Sequence, residues 1–210
     1  MRPAPVIVTL LALALLAAAG ARWALQRGQA MQGGASQVRV ELPLPDFQLT
    51  ERSGATVSLA DLRGRVWVAG FVFSRCPSVC PRLAGVMAGL QAPLRALPGG
   101  EDARLVAFSV DPEHDTPEVL RAWAAGFQAD PQRWLFLSGD RGAIWRLAEQ
   151  GFKLPVAADP GPGHPILHSQ KLVLVDRAGQ VRGWFDPLDD PAEVERLLAA
   201  ARAVLAEGAP

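Results

Sequence analysis

The two cysteines of the chain, Cys76 and Cys80, are the residues with the clearest capacity for chemistry. Three residues separate them in the segment FSRCPSVCP, residues 73–81. Two thiols this close can bind a soft metal ion or form a disulfide that exchanges with other thiols. A purely structural disulfide is a weaker interpretation, because closing a loop of about 5 residues stabilises a fold by only roughly 2 kcal/mol in the chain-entropy model.

The spacing of this pair does not by itself choose between metal and disulfide chemistry. A thioredoxin-type redox pair has two residues between its cysteines, whereas this chain has three. Residues four positions apart share one face of a helix, but Pro77 and Pro81 disfavour helical backbone at the residue before each. We therefore expect both cysteines on an irregular loop, with a helix that begins near Pro81. Such a loop can point two sulfurs at one metal ion, and it can also close to a disulfide.

The three histidines are the candidates for a third ligand. His168 shortly precedes a predicted strand. If the chain has the thioredoxin-like fold that the order of elements below predicts, the loop entering that strand passes beside the cysteine loop. Two thiolates and one imidazole suit Cu(I) in a trigonal site, and Zn²⁺ accepts the same donors with water as a fourth ligand. A solvent-exposed side chain is the alternative for His168. We expect His164, in a Pro- and Gly-rich loop, to be a spectator or a secondary ligand.

Charged residues cluster in SVDPEHDTP, residues 109–117. His114 precedes a predicted helix N-terminus, where the helix dipole disfavours a cation, so a neutral and exposed side chain is expected. Turn and cap chemistry accounts for Asp115. Asp111, at the carboxyl end of a predicted strand, is either a turn residue, a group that orients the metal site, or a contact for a partner.

The elements that must position these residues follow from the pattern of apolar runs and breakers. A hairpin is predicted over residues 46–59, with Pro and Gly marking a loop at 155–167. Thr116-Pro117 and Asp140 each predict a helix start. The predicted strands cover residues 66–73, 104–110, 134–137, 171–176 and 181–185, and the predicted helices include 82–97, with Pro93 as a kink or early stop, and 190–206.

Strands that are separated by helices imply parallel pairing, and the final hairpin adds an antiparallel edge. The prediction is an α/β, thioredoxin-like fold with an N-terminal β-hairpin and a central strand–helix insertion. In such sheets the chemistry sits beyond the carboxyl ends of the strands. Both cysteines and Asp111 fall there.

The N-terminus predicts export. A run of 17 mostly apolar residues, 5–21, follows Met1 and Arg2 and is itself followed by Arg22 and Trp23. This length is the short limit for a membrane-spanning helix and slightly long for a signal-peptide core. We expect residues 1–25 to be an uncleaved transmembrane anchor or a signal segment cleaved after Ala19. Residues 26–42 are then a linker, and residues 43–210 form one domain.

Composition narrows the partners. The chain has 21 basic and 21 acidic residues with no strongly basic block in its body, which removes any electrostatic case for nucleic acid as a partner. In an exported chain a single close cysteine pair either cycles between the dithiol and the disulfide or is kept reduced so that it can bind a metal. Nothing in the sequence requires more than a monomer.

Three motifs together resemble the Sco/SenC family of copper chaperones. They are CPSVCP at residues 76–81, SVDPEHDTP at 109–117, and His168-Ser169 ahead of LVLVD at 172–176. The resemblance covers roughly residues 45–205. It implies a thioredoxin-like domain, anchored in the inner membrane or secreted after signal cleavage and facing the periplasm, that binds one copper ion, Cu(I) or Cu(II), through Cys76, Cys80 and His168.

The resemblance also implies a partner. Members deliver copper to the CuA centre of cytochrome c oxidase subunit II, or reduce the cysteines of that centre before metal loading; other copper-handling proteins are possible recipients. Two positions depart from the family pattern. Leu167 stands where members often have Asp, and His114 stands where they often have Arg. Loss of the carboxylate beside His168 predicts a less firmly oriented ligand.

Two other functions compete with the chaperone hypothesis. In a periplasmic thiol–disulfide oxidoreductase of the thioredoxin-like class, Cys76 or Cys80 would be catalytic and attack a partner disulfide. His168 would then be dispensable or would only tune a thiol pKa. A peroxiredoxin is less consistent with the sequence, because no Pro and Thr precede Cys76 as the peroxide pocket of that family requires.

Overall fold

The computed structural model describes residues 41–158 and 166–208. The predicted anchor or signal segment, residues 1–25, and the predicted linker up to residue 40 lie outside the described residues. The division of the chain into anchor, linker and domain therefore stays a prediction. No helix within the described ranges has both the length and the apolar character needed to cross a bilayer.

Strands and helices alternate along the described chain. The strands are β1 (Leu42–Pro43), β2 (Gln48–Glu51), β3 (Thr56–Ser58), β4 (Trp67–Val72), β5 (Arg104–Ser109), β6 (Trp134–Ser138), β7 (Val156–Ala158), β8 (Ile166–His168), β9 (Leu172–Val175) and β10 (Gln180–Phe185). The helices are α1 (Leu59–Leu62), α2 (Val79–Ala96), α3 (Pro117–Gly126), α4 (Arg141–Arg146) and α5 (Ala192–Ala206), with a 3₁₀ turn at Gly100–Asp102 and a π-helical continuation of α4 at Leu147–Gly151.

Eight of these strands form one mixed sheet in the order β1-β10-β9-β4-β5-β6-β2-β3. Strands β4, β5 and β6 are parallel, as expected for strands joined by helices. The predicted N-terminal hairpin, β2–β3, adds to β6 in the antiparallel sense, and the predicted C-terminal hairpin, β9–β10, adds antiparallel to β4 on the other side. The predicted mixed α/β architecture is confirmed.

Strand β4 lies at the centre of this sheet, and every one of its residues is buried. Both faces are covered, which explains the continuous apolar run in the sequence. Gly70 permits close packing, because a Cβ atom there would lie 3.1 Å from both Met87 Sδ of α2 and Leu172 Cδ2 of β9. Phe71 stacks on Phe108 of β5 with ring centroids 5.2 Å apart. The strand that leads into the cysteines is thus packed against α2, β5 and β9.

The helix starts predicted from hydroxyl and carboxylate caps are confirmed. Thr116 Oγ1 accepts a hydrogen bond from the Val119 N–H at 3.4 Å, and Pro117 is the first residue of α3. Asp140 Oδ1 accepts from the Ala143 N–H at 2.7 Å at the start of α4. Each cap satisfies a backbone donor that the first helical turn leaves without a partner.

Helix α2 differs from the sequence prediction at both ends. It begins at Val79 rather than near Pro81, and it continues through Pro93 to Ala96, so the predicted early stop at Pro93 is wrong. Pro81 is tolerated because backbone N–H groups in the first turn have no partner within the helix. The last turn persists beyond Pro93 because it buries Leu94 in the core.

The segment predicted as a loop at 155–167 contains two short strands. Strands β7 and β8 pair antiparallel in a separate two-stranded sheet, with Val156 opposite His168. Val156 and Ile166 are buried, so apolar side chains tie this ribbon to the core. The Pro and Gly content of this segment concealed two three-residue strands, Val156–Ala158 and Ile166–His168. We refer to β7 and β8 below as the histidine ribbon.

Candidate metal centre

Cys76 lies in the connection between β4 and α2, beyond the carboxyl end of the central strand. Its backbone N–H donates to the Phe73 carbonyl at 3.3 Å, which closes a tight turn directly after β4. The side chain is only 6% exposed. The predicted loop position is confirmed for this cysteine.

Cys80 lies in the first turn of α2, and its predicted position on an irregular loop is wrong. The side chain is fully buried. The preference against helical backbone before Pro81 is overcome, because the burial of Cys80 and a hydrogen bond from its N–H to Cys76 Sγ at 3.4 Å favour the helical position. The two cysteines are therefore joined by a helix N-terminus.

Backbone donors converge on both sulfurs. Cys76 Sγ accepts from the Cys80 N–H, and Cys80 Sγ accepts from the Phe73 N–H at 3.4 Å. The positive end of the α2 dipole adds to these donors. These donors stabilise a thiolate, the form of cysteine that binds metals and attacks disulfides, and they oppose the effect of burial on each sulfur.

His168, the last residue of the histidine ribbon, reaches this pair across 88 residues of sequence. Its Nε2 lies 3.2 Å from Cys80 Sγ. Its Nδ1 donates to the Ser169 carbonyl at 2.9 Å, so Nε2 offers a lone pair when the ring is neutral and an N–H when the ring is protonated. The edge of the ring packs against Phe73, with centroids 5.6 Å apart. The structure thus brings Cys76, Cys80 and His168 together, and the half-buried His168 is not the exposed loop residue of the alternative interpretation.

The pKa values of the two thiols are shifted in opposite directions. Burial alone raises the pKa of Cys76, but hydrogen bonds with the His168 ring and with the backbone N–H groups of Cys80 and Ser78 outweigh it and lower the pKa to about 6. Burial raises the pKa of Cys80 far above its ordinary value of 9.0, and the neighbouring charge of Cys76 adds to that effect. Near neutral pH the metal-free pair therefore holds one thiolate and one thiol.

The donor set fits a soft metal ion. Two sulfurs and one imidazole nitrogen are the ligands that Cu(I) favours and that Zn²⁺ also accepts. Across residues 41–158 and 166–208, no group of three or more His, Cys, Asp or Glu side chains is arranged so that it could hold a metal ion. Coordination by Cys76, Cys80 and His168 therefore requires a shift of these side chains.

A cavity of about 310 Å³ opens beside the donors. Phe73, Cys76 and Val79 line one side, and residues 166–170 line the other. Leu167 stands at its edge and is 57% exposed, the large hydrophobic side chain that the described part of the chain presents to solvent. Cys76 and His168 face this opening, whereas Cys80 does not line it.

His114 does not join the site. It is exposed in the turn before α3, as expected. His164 lies outside the described residues, so its predicted role as spectator or secondary ligand stays a prediction.

Asp111 supports the cysteine loop through an arginine that the sequence analysis missed. Its fully buried carboxylate accepts from Arg75 Nε at 2.5 Å and lies 3.5 Å from Arg141 Nη2. Arg75 directly precedes Cys76 in the chain. Of the roles considered for Asp111, these contacts favour orientation of the site.

Asp115 is not the cap residue that the sequence suggested, since Thr116 caps α3. It is fully buried and accepts hydrogen bonds from Ser74 and Ser109 instead. Ser74 lies 41 residues away in sequence and two residues before Cys76. No local pattern links Ser74 to Asp115, so only the fold could reveal the contact.

Comparison with known proteins adds independent information. A family model described as SCO1/SenC matches residues 38–203 of the chain. The SCO1 protein homolog of Bacillus subtilis strain 168 is 35% identical over 136 residues, which cover 64% of this chain and 69% of that protein.

Solved structures share the fold. BsSco, described as a member of the Sco family of cytochrome c oxidase assembly proteins with a disulfide switch, superposes with a TM-score of 0.68 and 29% identity, over 80% of this chain and 96% of that one. Copper-bound ScoI of Bradyrhizobium japonicum superposes with a TM-score of 0.61 and 24% identity, over 79% and 98% of the two chains. The second likeness is one of fold.

Proposed function

The chain belongs to the SCO1/SenC family, and we propose that its domain is a copper chaperone that binds one copper ion through Cys76, Cys80 and His168. The observation that carries this proposal is the 3.2 Å approach of His168 Nε2 to Cys80 Sγ across 88 residues of sequence. A structural role does not explain why an imidazole nitrogen lies against the buried Cys80 sulfur, beside a second cysteine that lines the same cavity.

The geometry suits transfer as well as binding. Copper, the cargo, would be held by two thiolates and one imidazole, a low coordination number that leaves room for a ligand from a partner. The cavity beside Cys76 and His168 gives such a ligand access, while Cys80 stays buried behind them. Ligand exchange on the copper ion would then begin on the side of Cys76 and His168. Each cysteine sulfur that releases copper would be replaced by a sulfur of the partner.

The proposed recipient is the CuA centre of cytochrome c oxidase subunit II. Membership of the family supports this assignment, since BsSco is described as belonging to a family of cytochrome c oxidase assembly proteins. We place the domain in the periplasm, anchored to the inner membrane by residues 1–25, on the basis of the apolar run in the sequence. Cleavage after Ala19 is the alternative.

The experiment is a competition titration of the full-length reduced chain with Cu(I), comparing the wild type with His168→Ala. We expect the variant to lose more than about tenfold in copper affinity, since a direct ligand is worth at least as much as an outer partner. The thiol–disulfide potential should change less, because His168 affects it only through the acidity of Cys76. His114→Ala is the matched control, because it removes an exposed histidine outside the site. Unchanged copper affinity in His168→Ala would refute the ligand assignment.

A second function, thiol–disulfide exchange, is favoured by the asymmetry of the pair. Cys76 has a pKa of about 6 and faces the cavity, as an attacking thiolate must. Its sulfur would attack a partner disulfide and expel one partner thiolate; Cys80 would then attack the mixed disulfide and release the second. The partner gains two electrons and the chain is left with a Cys76–Cys80 disulfide. Reduction of a partner disulfide by His168→Ala at the wild-type rate, together with absent copper binding by the wild type, would favour this function.

A further inference from the structure

Asp115 is a fully buried carboxylate that lies outside the proposed ligand set. It accepts two hydrogen bonds from Ser74, one from the backbone N–H at 3.1 Å and a shorter one from the hydroxyl. Ser109 Oγ donates a third at 2.5 Å. A buried carboxylate is costly unless such donors satisfy it, so its position is tightly determined.

The neighbouring Asp111 makes a useful contrast. Asp111 is paired with the guanidinium groups of Arg75 and Arg141. No Lys, Arg or His nitrogen of the described residues lies within ion-pair distance of Asp115. Its charge is stabilised by one N–H and two hydroxyls alone, and two of those three donors belong to Ser74.

Ser74 begins the turn that orients both cysteines. The preceding residue, Phe73, donates its N–H to Cys80 Sγ and accepts the Cys76 N–H at its carbonyl. The hydrogen bonds from Ser74 to Asp115 fix the peptide unit that follows Phe73. A change in that peptide would therefore displace the donor to one sulfur and the anchor of the other.

We propose that Asp115 is a positioning residue, which holds the turn at residues 73–76 through Ser74 so that both sulfurs face His168. This role rests on the proposed metal site, although the arrangement of the two thiols can be measured without metal. Residues 109–115 then support the cysteine loop at two points, Asp111 through Arg75 and Asp115 through Ser74.

The test compares Ser74→Ala with Ser109→Ala in the full-length chain. Both variants remove one hydroxyl donor to the same carboxylate, but only Ser74 belongs to the cysteine turn. Ser109→Ala is the harsher control, because Ser109 Oγ also accepts the Asp111 N–H at 3.2 Å. Two quantities are measured: Cu(I) affinity by competition, and the separate alkylation rates of Cys76 and Cys80 in the metal-free protein by mass spectrometry.

We expect Ser74→Ala to weaken Cu(I) binding about tenfold, the lower end of the range for outer partners of a metal site. It should also change the ratio of the two alkylation rates, and both effects should exceed those of Ser109→Ala, because Ser109 lies outside the cysteine turn. Asp115→Asn should have a larger effect than Ser74→Ala, because it also weakens the hydrogen bond from the Ser74 N–H. Adding Ser74→Ala to Asp115→Asn should change little more, because the two variants disturb the same pair of residues. Equal effects of the two serine variants, or none from either, would overturn the proposal.

The two hypotheses fail separately. If the wild-type chain does not bind copper, the proposed function is wrong, but the alkylation ratios still decide whether Asp115 positions the thiols. If the wild type binds copper and Ser74→Ala binds it equally well with unchanged alkylation, only the positioning role is wrong. Thermal unfolding of each variant is recorded to confirm that it is folded at the assay temperature.

Discussion

The two halves of the site are built in different ways. Cys76 and Cys80 extend directly from the central strand of the sheet into the first turn of an 18-residue helix, and backbone N–H groups face both sulfurs. His168 ends a three-residue strand of a separate two-stranded sheet, where one exposed leucine precedes it. The thiols are thus part of the core, whereas the imidazole belongs to the small histidine ribbon that lies beside them.

This difference suggests a division of labour. A helix N-terminus and a rigid strand fix the sulfur positions before any metal arrives, which reduces the cost of ordering them on binding. Strands β7 and β8 pair only with each other and lie outside the main sheet, so we expect the imidazole to be the donor whose position can adjust most easily. Copper affinity should therefore depend most on the two thiolates, and His168 should complete the coordination of the ion.

The largest expected effect separates the two halves directly. Cys80→Ser should lose more Cu(I) affinity than His168→Ala, and by more than the roughly 100-fold upper range of outer partners, because a hard hydroxyl replaces a soft thiolate. Competition titration of both variants and of the wild type measures the ranking. A greater loss in His168→Ala would break the comparison, since the ribbon would then supply the dominant ligand.

A second effect concerns the two thiols of the cysteine half. The pKa of Cys76 is lowered to about 6 from 9.0, so its thiolate fraction in the metal-free protein should rise about tenfold between pH 5 and pH 7. Alkylation of Cys76, followed by mass spectrometry, should show the same rise, while Cys80 with its raised pKa stays unreactive over this range. In His168→Ala the Cys76 profile should move to higher pH, because the hydrogen bond with the imidazole is lost. Equal reactivity of the two thiols at pH 7 would contradict the asymmetry.

The same shift predicts the pH dependence of stability. A thiol whose folded-state pKa is depressed stabilises the fold fully above its unfolded pKa, near 9, and loses that contribution as pH falls through about 6. The free energy of unfolding of the reduced, metal-free protein should therefore increase from pH 6 to pH 9. Denaturant titration of the wild type and of Cys76→Ser measures it, and the variant should lack this increase.

The smallest expected effect concerns Leu167. The sequence predicted that the missing carboxylate would leave His168 poorly oriented, but the Ser169 carbonyl already accepts the Nδ1 proton at 2.9 Å. Leu167→Asp should therefore change Cu(I) affinity by less than about threefold, below the range typical of outer partners. A gain of tenfold or more in the competition titration would show that the carbonyl is a poor substitute for the carboxylate.

The fold and the cysteine pair were predictable because their signals are local. An unbroken apolar run marked β4, and the caps Thr116 and Asp140 marked two helix starts. The helical position of Cys80 was missed, because a rule about the residue before proline cannot weigh the burial that overrides it. The histidine ribbon was missed, because a strand of three residues is too short to show a clear alternation of apolar and polar side chains.

The supporting contacts were out of reach for a different reason. Ser74 and Asp115 are 41 residues apart, and Arg75 and Asp111 are 36 apart. Sequence patterns place each residue at the end of a strand, but only the register of parallel β4 and β5 sets these ends side by side. His168 could be predicted as the third ligand only from the family resemblance and the topology, because no local pattern links it to the cysteines.

X-ray absorption spectroscopy of the copper-loaded full-length chain most directly tests whether the cysteine pair and His168 bind one copper ion together. The account predicts two sulfur neighbours and one nitrogen neighbour around a single Cu(I) ion, and loss of the nitrogen in His168→Ala with both sulfurs retained. A nitrogen neighbour that persists in His168→Ala, or a wild-type spectrum with fewer than two sulfurs, would contradict a centre formed by Cys76, Cys80 and His168.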